Sequence, residues 1–190
     1  MGKKRSAQLP KRPADDEPES ASARVHRLVA EGARLLTAKR PGEAIVKLAE
    51  AWELDPRNVA GAINLGGAYI LQGRHDRAIP ILEAAARLEP DNPMVWSNLA
   101  AAYLGKLPLA TVEGQQRAID AYHRALVLDS RTPHVHYNLG LIYLERNEPL
   151  QAASHFQSAL ESDPDDRDAK RWLARIQQGL EQTGRLSGED

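Results

Sequence analysis

A block of four residues recurs along this chain at a fixed interval. Ala44, Leu48, Ala51 and Pro56 are spaced by 4, 3 and 5 residues. Ala78, Leu82, Ala85 and Pro90 repeat the spacing, as do Ala118, Tyr122, Ala125 and Ser130, and then Ala152, Phe156, Ala159 and Pro164. Pro56 to Pro90 is 34 residues, and Ser130 to Pro164 is 34 again. A period of this length means that one supersecondary unit is stacked on copies of itself, because a single unit is too small to bury its own apolar face.

A second pattern lies upstream of each block. It reads Trp96, Leu99, Ala100, Tyr103 in one copy and His136, Leu139, Gly140, Tyr143 in another. Ala62, Leu65, Gly66 and Tyr69 match it, and Leu28, Glu31, Gly32 and Leu35 match loosely. Spacings of three and four put these residues on one helical face. The small residue in each (Gly32, Gly66, Ala100, Gly140) lets two helices approach closely. Glycine costs about 1 kcal/mol of helix propensity there, so a packing gain has to offset it.

The two patterns together resemble the tetratricopeptide repeat, with its W-x-x-L-G-x-x-Y, A-x-x-x-F and closing proline. The resemblance runs from about residue 24 to 166 in four consecutive copies. It implies an all-α, right-handed solenoid of four helix-turn-helix units, at 25–58, 59–92, 93–132 and 133–166. In each unit a helix A is followed by a helix B. The stretch 167–182 reads as a capping helix that turns Trp172, Leu173, Ile176 and Leu180 inward and Arg171, Arg175 and Gln178 outward. Residues 183–190 are expected to be flexible. Residues 1–22 carry mixed charge and three prolines, with Leu9 alone to anchor a core, so they read as a disordered tail.

One unit is irregular. Pro90 to Ser130 is 40 residues, and the six extra residues fall between Tyr103 and Ala118, around Gly105-Lys106-Leu107-Pro108-Leu109-Ala110-Thr111. Two readings stand. One is a neutral lengthening of the turn, and the other is a contact loop that meets a partner through Leu107 and Leu109. The same unit has Ser130 in place of the closing proline, which leaves its last turn less rigid.

Composition narrows the function. The 25 basic and 26 acidic side chains balance, which argues against a general nucleic-acid binder. Without cysteine the chain has no disulfide, thiolate or Cys-ligated zinc, and no apolar run is long enough for a stable membrane insertion. With no apolar leader either, the expected location is cytoplasmic. No metal-ligand or catalytic pattern stands out. His134 and His136 are two apart and point to different sides of a helix, and His26, His75, His123 and His155 have no patterned partner. Asp163, Asp165, Asp166 and Asp168 read as the acidic start of the capping helix. No enzyme, no cofactor and no metal are expected.

Asn64, Asn98 and Asn138 all hold the sixth place of their A helices. In the family that the chain resembles, the A helices line a concave face, and asparagine at this place binds the backbone of an extended peptide. An amide donates and accepts, so it reads a peptide bond without reading the side chain. Helices about 10 Å apart present one asparagine for every three or so extended residues. Met94, Tyr137 and Leu141 share the same face, while its second, fifth and ninth places hold no lysine or arginine. The carboxylate clamp of chaperone-binding relatives is therefore missing, and a neutral, partly apolar segment is the expected occupant. The expected role is a protein-interaction adaptor with a protein or peptide partner. The alternative is a structural scaffold or self-assembling subunit, a homo-oligomer joined through its ends or convex side. It is motivated by Leu28 and Leu35 in a first helix with no cap before it.

Overall fold

A computed structural model describes residues 19–107, 110–182 and 184 of the 190. The sequence expectations for the tail before residue 19, for Leu109 and for most of the last eight residues lie outside the described residues. Among the described residues there are nine α-helices and no strand: α1 (Ala21–Thr37), α2 (Pro41–Leu54), α3 (Val59–Leu71), α4 (His75–Leu88), α5 (Pro93–Leu104), α6 (Val112–Leu128), α7 (Val135–Glu145), α8 (Pro149–Ser162) and α9 (Arg167–Gln182). The chain is an all-α solenoid, in which α1–α2, α3–α4, α5–α6 and α7–α8 form successive hairpins and α9 closes on α8.

Local chemistry sets the helix ends. Ser20, Asn58, Asn92 and Thr111 cap their helices by accepting from backbone N–H groups of the first turn. Asp166 does the same for α9, its carboxylate accepting from the amides of Asp168 and Ala169 at 2.9 Å. Pro41, Pro93 and Pro149 stand in the first turn, where a missing N–H costs nothing. The turn after each of α1, α3 and α7 is three residues long with its middle residue left-handed: Lys39 at φ 57°, Gly73 at 68° and Asn147 at 57°. The residue after each turn's centre donates back five places, Arg40 to Leu35, Arg74 to Tyr69 and Glu148 to Tyr143, all at 2.9 Å. These are Schellman stops.

The small eighth-place residues meet the large residue of the recurring block. A Cβ added to Gly32 would lie 2.4 Å from Leu48, one on Gly66 2.6 Å from Leu82, and one on Gly140 2.8 Å from Phe156. Leu48, Leu82, Tyr122 and Phe156 are fully buried, and four apolar clusters follow one another along the chain around them. Dense packing of this kind is where the helices, short on their own, gain their stability. In α9, Ile176 and Leu180 are buried with Trp172 and Leu173 beside them, while Arg171, Arg175 and Gln178 face water.

The stack is uneven at one joint. The α6–α7 contact is thinner than α2–α3 and α4–α5, and α5 and α7 approach less closely than α1–α3 and α3–α5. Thr132 stands where Asn58 and Asn92 cap their helices. Its buried hydroxyl instead donates backward, to the Asp129 carbonyl at 2.7 Å. Helix α7 starts only at Val135, uncapped, with His134 left-handed at φ 61°. This turn is the one that lacks a closing proline.

Candidate functional site: the face of the A helices

Helices α1, α3 and α5 pack side by side and present their second, fifth, sixth and ninth places in rows. His26, Ala60, Met94 and His134 at the second place are exposed, and Val29, Ile63, Ser97 and Tyr137 at the fifth are half-buried. Asn64 and Asn98 lie half-buried between these rows, and among the described residues neither side-chain amide has a hydrogen-bond partner. A half-buried amide in that state has donors and an acceptor to offer. Gly67, at the ninth place of α3, has nothing within 4 Å of where a Cβ would stand, so the surface beside Asn64 is open.

Asn138 differs from the other two. It faces the Tyr122 hydroxyl of α6, close enough to influence it but short of hydrogen-bond geometry with it. Burial pushes the Tyr122 hydroxyl well above the usual tyrosine range. Tyr137 stands edge-on to Phe156 at 5.7 Å, and with Leu141 it packs on the α8–α9 cluster, so both offer only part of their surface. Met94 is 41 % exposed. Leu71 at the end of α3 is 67 % exposed. Nothing in the repeat pattern marks it, because its place lies beyond the last patterned residue of helix A.

The insertion is tied to the body of the solenoid. Ala118 is the seventh residue of α6, whereas Ala44, Ala78 and Ala152 are the fourth of α2, α4 and α8, so part of the insertion is an extra helical turn. Gly114 in that turn passes so near α5 that a Cβ would sit 2.9 Å from the Tyr103 carbonyl. Gln115 is buried and accepts from Arg146 Nε at 3.1 Å, and Gln116 accepts from the same guanidinium. Leu107 is half-buried against the core cluster that holds Leu104, Ala118 and Tyr122.

The N-terminal edge carries charge. Leu28 is 1 % exposed, and Leu35 packs on Leu48 and Leu65. Outside them Arg27 joins Glu19 and Glu31, Lys47 joins Glu31, and Arg24 joins Glu50. The bare apolar edge that motivated self-assembly through Leu28 and Leu35 is absent from the described residues.

Three histidines that look unrelated in the sequence meet between α6, α7 and α8. His136 Nδ1 lies 3.2 Å from His155 Nδ1, and the His123 ring is 6.4 Å from that of His155. Burial holds His155 down at about 4 and also lowers His136, against which Glu161 pulls upward. The residues are 13 and 19 apart and on three helices, so no local spacing rule finds them.

Comparison with known proteins agrees with this architecture. Family models described as tetratricopeptide repeat match residues 35–103, and a second such model matches 116–166 and 137–180. The chain belongs to the tetratricopeptide repeat family. Among curated proteins it is 31 % identical over 96 residues to a peroxisomal targeting signal receptor of Candida glabrata, which is 50 % of this chain but only 15 % of the receptor. Among solved structures it resembles a thermophilic tetratricopeptide protein of Thermus thermophilus with a TM-score of 0.70 at 18 % identity, covering 86 % of this chain and 84 % of that one. It also resembles the first repeat domain of Spaghetti (RPAP3) bound to an HSP90 peptide, with a TM-score of 0.58 at 22 % identity over 66 % of this chain and 98 % of that one. No helix among the described residues is long and apolar enough to cross a membrane.

Proposed function

We propose that this chain is a non-catalytic, cytoplasmic adaptor that holds an extended protein segment on the face of its A helices. The family is one of protein-interaction modules, and this sets the general role. One observation carries the finer reading: Asn64 and Asn98 stand on neighbouring packed helices with amides that no described residue engages. A relative seen with a short peptide, the Spaghetti domain, is consistent with that use of the fold. Met94 supplies apolar contact beside the rungs, with Tyr137 and Leu141 extending it onto α7. No lysine or arginine occupies the second, fifth or ninth place, so the segment is neutral and partly apolar rather than carboxylate-terminated.

Each net hydrogen bond contributes only about 0.5–1.5 kcal/mol, so the rungs fix register and the apolar contacts set affinity. The test is capture of partners from native extract by the full chain and by its Asn64→Ala, Asn98→Ala, Asn138→Ala triple variant, with helicity checked by circular dichroism. Partners lost by a folded triple variant support the reading. Equal capture overturns it.

A further inference from the structure

His123 on α6, His136 on α7 and His155 on α8 meet at the thinnest joint of the solenoid. The two Nδ1 atoms of His136 and His155 face each other at 3.2 Å, with the rings tilted by 33°. Tyr143 stacks flat on His155 at 5.3 Å and fixes its ring plane. From this geometry we propose that His136 and His155, joined by His123 after a side-chain rotation, form a binding site for a divalent transition-metal ion of the zinc, nickel or copper class.

The distances suit such an ion. Zinc–imidazole bonds of about 2.0–2.1 Å at a tetrahedral angle place two ligand nitrogens about 3.3 Å apart. The pair already stands at 3.2 Å without any movement of the backbone. Imidazole is the ligand that suits zinc, copper and nickel, and it binds in its neutral form. Among the described residues no three such side chains already converge on one point. The third ligand therefore has to move, and His123 is exposed and free of core packing. Glu161, which acts electrostatically on His136, supplies negative charge beside the ion. His136 also lines a cavity of about 260 Å³ between the α6–α7 turn and the end of α8, with Thr132, His134 and Asp163. A bound ion would clip α6 to the α7–α8 hairpin where successive helix backbones approach least closely.

The test titrates untagged full-length protein with Co²⁺ and follows its visible absorption, then competes with Zn²⁺. One Co²⁺ per chain, displaced by Zn²⁺, is the expected result. His136→Asn and His155→Asn should each weaken binding by roughly tenfold or more, His123→Asn should weaken it less, and His75→Asn should leave it unchanged. No binding, or binding that survives His155→Asn in a folded protein, overturns the site. A variant-free measurement covers the case in which a substitution unfolds the chain. Imidazole NMR resonances of the wild-type protein should shift with Zn²⁺ at His123, His136 and His155, and shifts confined to His26, His75 or His134 overturn it.

Discussion

Single glycines and one hydroxyl show how finely the repeat is tuned. Gly140→Ala puts a Cβ 2.8 Å from the buried Phe156 ring, an overpacking that costs about 1–3 kcal/mol and exceeds the ~1 kcal/mol of added helix propensity. Gly67→Ala meets open space and should gain up to about 1 kcal/mol. Urea denaturation of the two variants checks the opposite signs. Tyr122 holds a place filled by leucine or phenylalanine in the other units, and its buried hydroxyl has no hydrogen bond. Tyr122→Phe should therefore leave stability unchanged or raise it by about 1 kcal/mol. Its alkaline behaviour has a definite sign. Burial raises Tyr122 in the folded state, so above about pH 10 the unfolded chain loses this proton first. Stability from this group is complete below that pH and is lost as pH rises, and the alkaline loss should be smaller in the phenylalanine variant. The glycine places were legible in the sequence because they recur in register. The state of the Tyr122 hydroxyl was not, since it depends on how Asn138 of the next unit is turned.

Among the helices, α6 departs most from the repeat. The sequence shows six surplus residues but not their distribution, because a spacing count cannot tell a longer loop from a longer helix. Thr111 resolves it by capping α6 early, with its hydroxyl accepting from the Gly114 amide at 3.0 Å. The added turn then fits against α5 only because Gly114 has no side chain to strike the Tyr103 carbonyl. Arg146 joins this turn to the α7–α8 connection through Gln115 and Gln116. Removing its guanidinium leaves the buried Gln115 oxygen without this donor, a loss on the order of 1–3 kcal/mol. Arg146→Ala should accordingly lower the denaturation midpoint and speed amide exchange at the start of α6. Unchanged exchange there would show that the turn holds without the link.

Over the whole solenoid, stability is a sum of unit and interface contributions between neighbours. The period makes the stacking legible in the sequence and puts the three asparagines at one repeat position, because both depend only on register. The uneven joint was not legible beyond the missing proline at Ser130. It arises from Thr132 turning its hydroxyl back toward α6, from the late start of α7 and from the left-handed His134. With α6–α7 as its thinnest interface, the chain should separate there, into α1–α6 and α7–α9, when one side is weakened. Phe156 is the large residue at the centre of the α8–α9 cluster, and Phe156→Ala should remove about 3–5 kcal/mol from that side. In hydrogen exchange followed by mass spectrometry, that variant should lose protection across α7, α8 and α9 while α1 to α5 keep theirs. Uniform loss along all nine helices would mean that the joint transmits folding as well as the others do. Protection restored to α7–α9 by added Zn²⁺ would tie the joint to the three histidines, since an ion held there binds only the assembled side.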